Sequence, residues 1–128
     1  MEGKILWPYI AYSLWKLFET QPQRKGKISF GELRKIFFDI LFREQKIVGI
    51  EKPADLYVGL LYLEILEVIR ISGKTKELDE RKIRIEDEKK LSEIIEKVEE
   101  LPRVTGIESF EEYKQRINKG IENLSRLT

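Results

Sequence analysis

The chain has 128 residues with a formal net charge of +1, and 41% of its residues are hydrophobic. That length suits a single domain with a core of its own. The near-zero charge excludes the strongly basic domain that most simply marks a nucleic-acid-binding protein. Cysteine and histidine are absent, which excludes disulfide scaffolds, thiol nucleophiles and imidazole general bases.

The first predicted element is a helix from Tyr9 to Thr20, with Pro8 in its first turn. This helix is apolar on most sides, so we expect neighbouring elements to cover it on more than one face. The apolar run that overlaps it, residues 5–18, is shorter than the roughly 20 residues that a membrane span needs. Glu2 ahead of the run does not suit a signal peptide. We therefore expect a buried helix in a cytoplasmic protein.

A short strand and a second helix are predicted after a basic turn at residues 21–26. The strand covers Lys27 to Phe30. Ser29 and Glu32 have the spacing of a capping box, which predicts the start of helix 2. The apolar face of helix 2 comprises Leu33, Ile36, Phe37, Ile40 and Leu41.

A third helix is predicted to open at Pro53 or Ala54, and its core-facing residues are Leu56, Leu60 and Leu63. A helix that reads DNA bases normally presents Arg, Lys, Asn or Gln to the groove. Helix 3 lacks these groups, so we expect no sequence-specific readout from it. The positions that it is expected to expose are Asp55, Tyr57, Gly59, Tyr62, Glu64 and Glu67.

Beyond helix 3 the hydrophobic pattern changes from helical spacing to strict alternation. Ile69 and Ile71 alternate with polar residues, and so do Ile83 and Ile85. The two runs are joined by a polar stretch at residues 73–81. Two alternating runs around a polar connection predict a β-hairpin with a charged tip.

Two further helices are predicted at the C-terminal end. Asp87 is the expected N-cap of helix 4, which Pro102 ends. Ser109 and Glu112 form a second capping box that opens helix 5, and Gly120 interrupts its stripe. The predicted buried residues are Leu91, Ile94, Ile95 and Val98 in helix 4, and Phe110, Tyr113, Ile117, Leu124 and Leu127 in helix 5.

Helix, short strand, helix, turn, helix and hairpin is the order of a winged helix. We therefore predict a mainly α (α+β) protein: a winged helix-turn-helix with a two-stranded wing and two additional C-terminal helices. The winged-helix-like domain covers residues 1–101. The remaining residues, 102–128, form a C-terminal helix that packs on the domain or forms a homodimer.

Residues 57–71, from Tyr57 to Ile71, resemble the segment from helix 3 into the wing in the C-terminal winged helix of kleisins, the segregation and condensation protein A family. Residues 28–33, from Ile28 to Leu33, resemble the short strand and helix-2 start of the same domain. The resemblance implies docking on the head of an SMC-type ATPase, a protein partner that acts on DNA.

Enzymatic activity is not expected, because the common general bases, nucleophiles and soft metal ligands are missing. Gly73-Lys74-Thr75 is similar to the tail of a phosphate-binding loop, but Val68 stands where that loop needs glycine. No cofactor and no metal site are predicted. Glu, Lys and Ile are abundant, a bias that is typical of thermophile proteins.

Basic residues cluster before helix 2, on its exposed side and around the hairpin tip. These side chains predict non-specific contacts with the DNA backbone through helix 2 and the wing, with strong salt dependence. Solubilising charges paired with nearby carboxylates are the alternative interpretation. The candidate DNA-binding residues are Arg24, Lys25, Lys27, Arg34, Lys35, Arg43, Lys74, Lys76, Arg81 and Lys82.

Aromatic residues offer a second mode of action. Tyr and Trp are enriched at interface hot spots, so Trp7, Tyr12, Tyr57 and Tyr62 are candidate partner-binding residues; packing in the core is their alternative role. The preferred hypothesis is a non-enzymatic winged-helix module in chromosome organisation or transcription. The alternatives are a protein-interaction module and a helical homodimer with a structural role.

Overall fold

The computed structural model describes residues 7–43, 52–98 and 109–127. The described chain is mainly helical with one small antiparallel sheet, an α+β arrangement. The helices are α1 (Trp7–Thr20), α2 (Phe30–Arg34), a π-helix that continues α2 (Lys35–Phe42), α3 (Pro53–Ile65), α4 (Glu88–Glu96) and α5 (Phe110–Leu127). The strands are β1 (Lys27–Ser29), β2 (Ile69–Ser72) and β3 (Lys82–Ile85), with short 3-10 turns at Pro22–Arg24 and Leu78–Glu80.

The N-terminal helix α1 is the centre of the core. Residues 8–14, together with Leu17 and Phe18, are buried, and α3, α4 and α5 all pack against the helix. A helix that is apolar on most sides needs this kind of cover. Within the described ranges, none of the helices combines the length and apolarity that crossing a bilayer requires.

The sheet has the strand order β1-β3-β2, with both pairs antiparallel. Ile83 of β3 lies opposite Ile28 on one side and Ile71 on the other, and all three side chains are buried. The predicted hairpin is confirmed. Because the short strand β1 joins it, the hairpin belongs to a three-stranded sheet and is not an isolated two-stranded ribbon.

The helix predicted to carry a 3.6-residue stripe widens into a π-helix over residues 35–42. Its buried residues, Ile36, Phe37, Leu41 and Phe42, recur at intervals of five, and the Phe37 and Phe42 rings lie 5.6 Å apart. A π-helix bonds residue i to i+5, so Phe42 is buried and Ile40 is left only partly covered. The stripe predicted with Ile40 is corrected in this respect.

The tip of the hairpin folds back on α2. Arg34 donates two hydrogen bonds to the Asp79 carboxylate, at 3.2 and 2.9 Å, and Leu78 is partly buried against the core. Gly31 allows the close approach, because a Cβ at this position would lie 3.0 Å from the Asp79 Cβ. The tip is therefore anchored to the body of the domain.

The C-terminal helix α5 packs along α1. Tyr113, Ile117, Ile121 and Leu124 are its buried apolar residues; Ile121 was not among the predicted ones. Ser109 caps the helix by accepting a hydrogen bond from the Glu112 backbone N–H, as predicted. Burial of this stripe inside the chain leaves little of it available to a second copy.

Candidate nucleic-acid interface

One face of the sheet is apolar and packs on the helices, and the opposite face is basic. Lys27 of β1, Arg84 of β3 and Arg70 of β2 lie directly across from one another, and all three side chains are exposed. Directly opposite like charges on neighbouring strands are destabilising. A row of three cations across three strands therefore reduces the stability of the fold. Binding surfaces often reduce stability in this way.

The next row of the same face contains Ser29, Lys82 and Ser72. Lys82 is exposed, and so is Ser72. Within the described residues, the side chains of Lys27, Arg70 and Lys82 form no hydrogen bond and no ion pair. We define the basic sheet face by its four cations: Lys27, Arg70, Lys82 and Arg84.

Acidic groups limit the basic sheet face at one end. Arg84 forms a 3.1 Å ion pair with Glu86, the next residue on that face of β3. Beyond it lies an open cleft of about 450 Å³, lined by the carboxylates of Glu64, Glu67, Glu86 and Asp87 beside Ile69 and Arg70.

Four of the ten predicted DNA-binding side chains are engaged within the chain. Arg24 donates to Gln21 and to Glu32, the latter at 2.7 Å, and Arg34 is held by Asp79. Lys74 lies 2.6 Å from Glu64. Arg81 donates to the hydroxyl of Tyr57 at 2.7 Å, and its guanidinium lies over the same ring. These contacts anchor the tip and the turns of the fold.

The other six predicted cations are Lys25, Lys27, Lys35, Arg43, Lys76 and Lys82, and all six are exposed. The strand register brings Lys27 and Lys82 together on the basic sheet face. Lys25 has a left-handed backbone (φ 55) two residues before β1. Lys35 lies near Asp79, whose pKa it helps to lower after the larger effect of Arg34.

Sequence reasoning missed Arg70 and Arg84, which complete the row across the sheet. Both residues occupy the polar positions of the alternating runs that predicted the hairpin. The alternation was a sufficient signal that they share a face. Their juxtaposition with Lys27 required the register of all three strands.

The four aromatic partner-binding candidates are covered to different extents. Tyr12 is 7% exposed and donates a 2.6 Å hydrogen bond to Asn118 of α5, so its ring is part of the α1–α5 interface. Trp7 and Tyr62 are partly buried, with ring centroids 5.7 Å apart. Tyr57 contacts Phe30 edge-to-face at 5.6 Å and binds Arg81.

The outward face of α3 differs from the predicted one. Gly59 was expected to be exposed and is buried, while Ile65 is 76% exposed. The residues on the side of α3 opposite Leu56, Leu60 and Leu63 are Ala54, Val58, Leu61 and Ile65, which offer no hydrogen-bonding side chain, and of these Leu61 still packs against the core. The expectation that α3 does not read bases stays a prediction, and this apolar side agrees with it.

Among the described residues, no group of three carboxylates converges in a way that suits a metal ion. A scan against protein-family models, a search of curated proteins and a search of solved structures return no match to this chain. The physical properties of its surfaces are therefore the basis for any assignment.

Proposed function

We propose that this protein is a winged-helix module that binds the backbone of duplex nucleic acid through the basic sheet face, without reading sequence. The observation that carries the proposal is the row of Lys27, Arg84 and Arg70 across the three strands. The element order supports the winged-helix assignment, since a hairpin covers one side of a small helical core. A role in DNA transactions, without enzymatic activity, follows from this proposal.

Phosphate is the ligand that this surface suits best. Arg and Lys side chains supply most protein contacts to the DNA backbone, and hydroxyl groups such as that of Ser72 add to them. Two adjacent rows of the basic sheet face carry its four cations, and a duplex presents them with one negative charge per roughly 1.7 Å of helix axis.

Base recognition is not supported by the same surface. No aromatic residue lies at an exposed position of the three strands, and aromatic platforms are what single-stranded nucleic acids stack on. Helix α3 has no Arg, Lys, Asn or Gln to offer to base edges. Binding through phosphates alone predicts similar affinity for unrelated duplexes.

The test compares two variants of equal net charge. In the first, Lys27→Gln, Arg70→Gln and Lys82→Gln remove the three cations of the face that have no partner among the described residues. We expect weaker binding to a fluorescent duplex at low salt. The slope of log affinity against log salt should become shallower by about 2.7, or 0.9 for each lost phosphate contact.

The matched control is Lys89→Gln, Lys97→Gln and Lys119→Gln, three exposed lysines on and next to α4 and on α5. It changes the net charge by the same amount and should leave affinity and slope near those of the parent. If both variants lose affinity to the same extent, binding depends on overall charge and the basic sheet face is not the binding site. An unchanged slope in the first variant would exclude the proposal.

A further inference from the structure

Arg84 is the central cation of the basic sheet face, and its side chain already has an anionic partner. It lies between Lys27 of β1 and Arg70 of β2 in the row across the three strands. Its Nη2 atom lies 3.1 Å from Oε2 of Glu86. The carboxylate of Glu86 is therefore placed beside the cation that has a like charge on each side.

The ion pair between Arg84 and Glu86 does not hold two distant parts of the fold together. Glu86 directly follows β3 and is two positions from Arg84. By contrast, Arg34 joins α2 to Asp79 of the hairpin tip, 45 positions away. The side chains of Arg84 and Glu86 are 47% and 40% exposed, and a pair this exposed contributes little to stability. Holding the fold together does not explain a carboxylate at this position.

The position of Glu86 is fixed by its backbone. Its N–H donates a 2.9 Å hydrogen bond to the carbonyl of Val68, just before β2. This bond does not involve the side chain, so replacing the carboxylate with an amide leaves it in place. Glu86 consequently offers a way to remove the negative charge beside Arg84 without moving the end of β3.

We propose that Glu86 is an internal counter-ion that competes with nucleic-acid phosphate for Arg84. The inference rests on the proposed function and names the residue that regulates the affinity of that site. In the free protein the carboxylate offsets the repulsion between Arg84 and its cationic neighbours. A phosphate that binds Arg84 takes over this role and separates Glu86 from its partner. The ion pair that has to be broken makes binding of the duplex weaker.

Direct repulsion between Glu86 and the duplex is a different explanation with the same sign. A carboxylate beside a binding surface repels phosphate whether or not Arg84 is present. Competition acts through Arg84, so its effect is lost when the guanidinium is removed. A double-mutant cycle separates the two explanations, because it measures the coupling between two residues in contact.

The experiment measures the affinity of the full chain for a fluorescent duplex at several salt concentrations. Glu86→Gln should bind about two- to fivefold more tightly than the parent at low salt, the effect of one exposed ion pair. The gain should shrink as the salt concentration rises, because salt screens exposed charges. The urea midpoint of the same variant should fall slightly, since the row of cations loses its counter-ion. A merely structural ion pair would instead lower stability and affinity together.

The other two variants of the cycle are Arg84→Gln and Arg84→Gln with Glu86→Gln. Because the competing partner is absent, adding Glu86→Gln to Arg84→Gln should raise affinity much less than it does in the parent. The matched control is Glu122→Gln, which removes one exposed carboxylate from α5, outside the basic sheet face. It changes the net charge equally and should increase affinity less than Glu86→Gln does.

The inference is overturned if Glu86→Gln binds the duplex no more tightly than Glu122→Gln. It is also overturned if the gain is as large in the Arg84→Gln background as in the parent, because repulsion then explains it. The proposed function fails by a different result, an unchanged salt slope in the variant that replaces the three unpaired cations of the face. A parent chain that binds no duplex overturns both.

Discussion

At the scale of single residues, Arg70 and Arg84 show most directly how binding and stability oppose each other in this chain. They are cross-strand neighbours on an exposed face, and Arg84 has a partner in Glu86 while Arg70 has none among the described residues. Like charges in this position destabilise a sheet. Selection for stability alone would remove one of them.

Lys27→Gln should raise the free energy of unfolding by about 0.2–1 kcal/mol at low ionic strength, because it removes repulsion from Arg84 and leaves Arg70 in place beside the acidic cleft. The gain should shrink in high salt, which screens exposed charges. Urea denaturation at two salt concentrations measures both effects. Lys82→Gln is the control, since its cross-strand neighbours are serines, and a similar gain in that variant would contradict the explanation.

At the scale of elements, the connection between β2 and β3 is held to α2 by one close contact and one ion pair. Gly31 is buried beneath Asp79, whose backbone oxygen lies 3.1 Å from the position of an added Cβ. Arg34 lowers the pKa of Asp79 through its hydrogen bonds. The tip is consequently a packed part of the domain.

Gly31→Ala should push the tip away from α2 and reduce stability by about 1 kcal/mol or more, the usual cost of overpacking. Limited proteolysis should then cut at residues 73–81 faster than in the parent. Gly73 provides a contrast, because its substitution is strained by a left-handed φ of 75, not by contact with α2. Unchanged cleavage in Gly31→Ala would show that the tip is not held there.

At the scale of the whole molecule, a buried polar contact joins helices α1 and α5, which are far apart in the sequence. Ser13 donates its proton to the Tyr9 carbonyl, so the Tyr113 hydroxyl, 2.7 Å from the Ser13 Oγ, is the donor in that pair. Burial raises the pKa of Tyr113 strongly. The same cause raises the pKa values of Tyr9 and Tyr12.

Because the folded-state pKa of Tyr113 exceeds the unfolded value of about 10, its neutral form stabilises the fold fully below pH 10. Above that pH the unfolded chain loses the proton first, so stability falls as pH rises. Tyr113→Phe should cost about 1 kcal/mol at neutral pH and reduce the loss at high pH. Thermal unfolding between pH 7 and 11 tests this, and an identical pH profile in the variant would contradict it.

The order of helices and strands, the caps at Ser29, Asp87 and Ser109 and the inner face of the hairpin follow from local patterns in the sequence. Caps and alternation depend on residues a few positions apart, so the chain itself specifies them. The π-helix does not, because its five-residue spacing appears only when Phe42 has a core to enter. The burial of Ile121 differs from this, because Tyr113, Ile117, Ile121 and Leu124 follow ordinary helical spacing.

The surfaces that carry the proposals were decided by tertiary structure. The sequence alone showed basic residues at separate positions along the chain. The register of β1 against β3 places Lys27 beside Arg84, so that these residues share one basic face. The sequence of α3 indicated apolar character, but packing against α1 decides which of its sides is buried. Local periodicity determines what each element is, and long-range packing determines which of its residues remain in contact with solvent, because burial depends on neighbours that are distant in the chain.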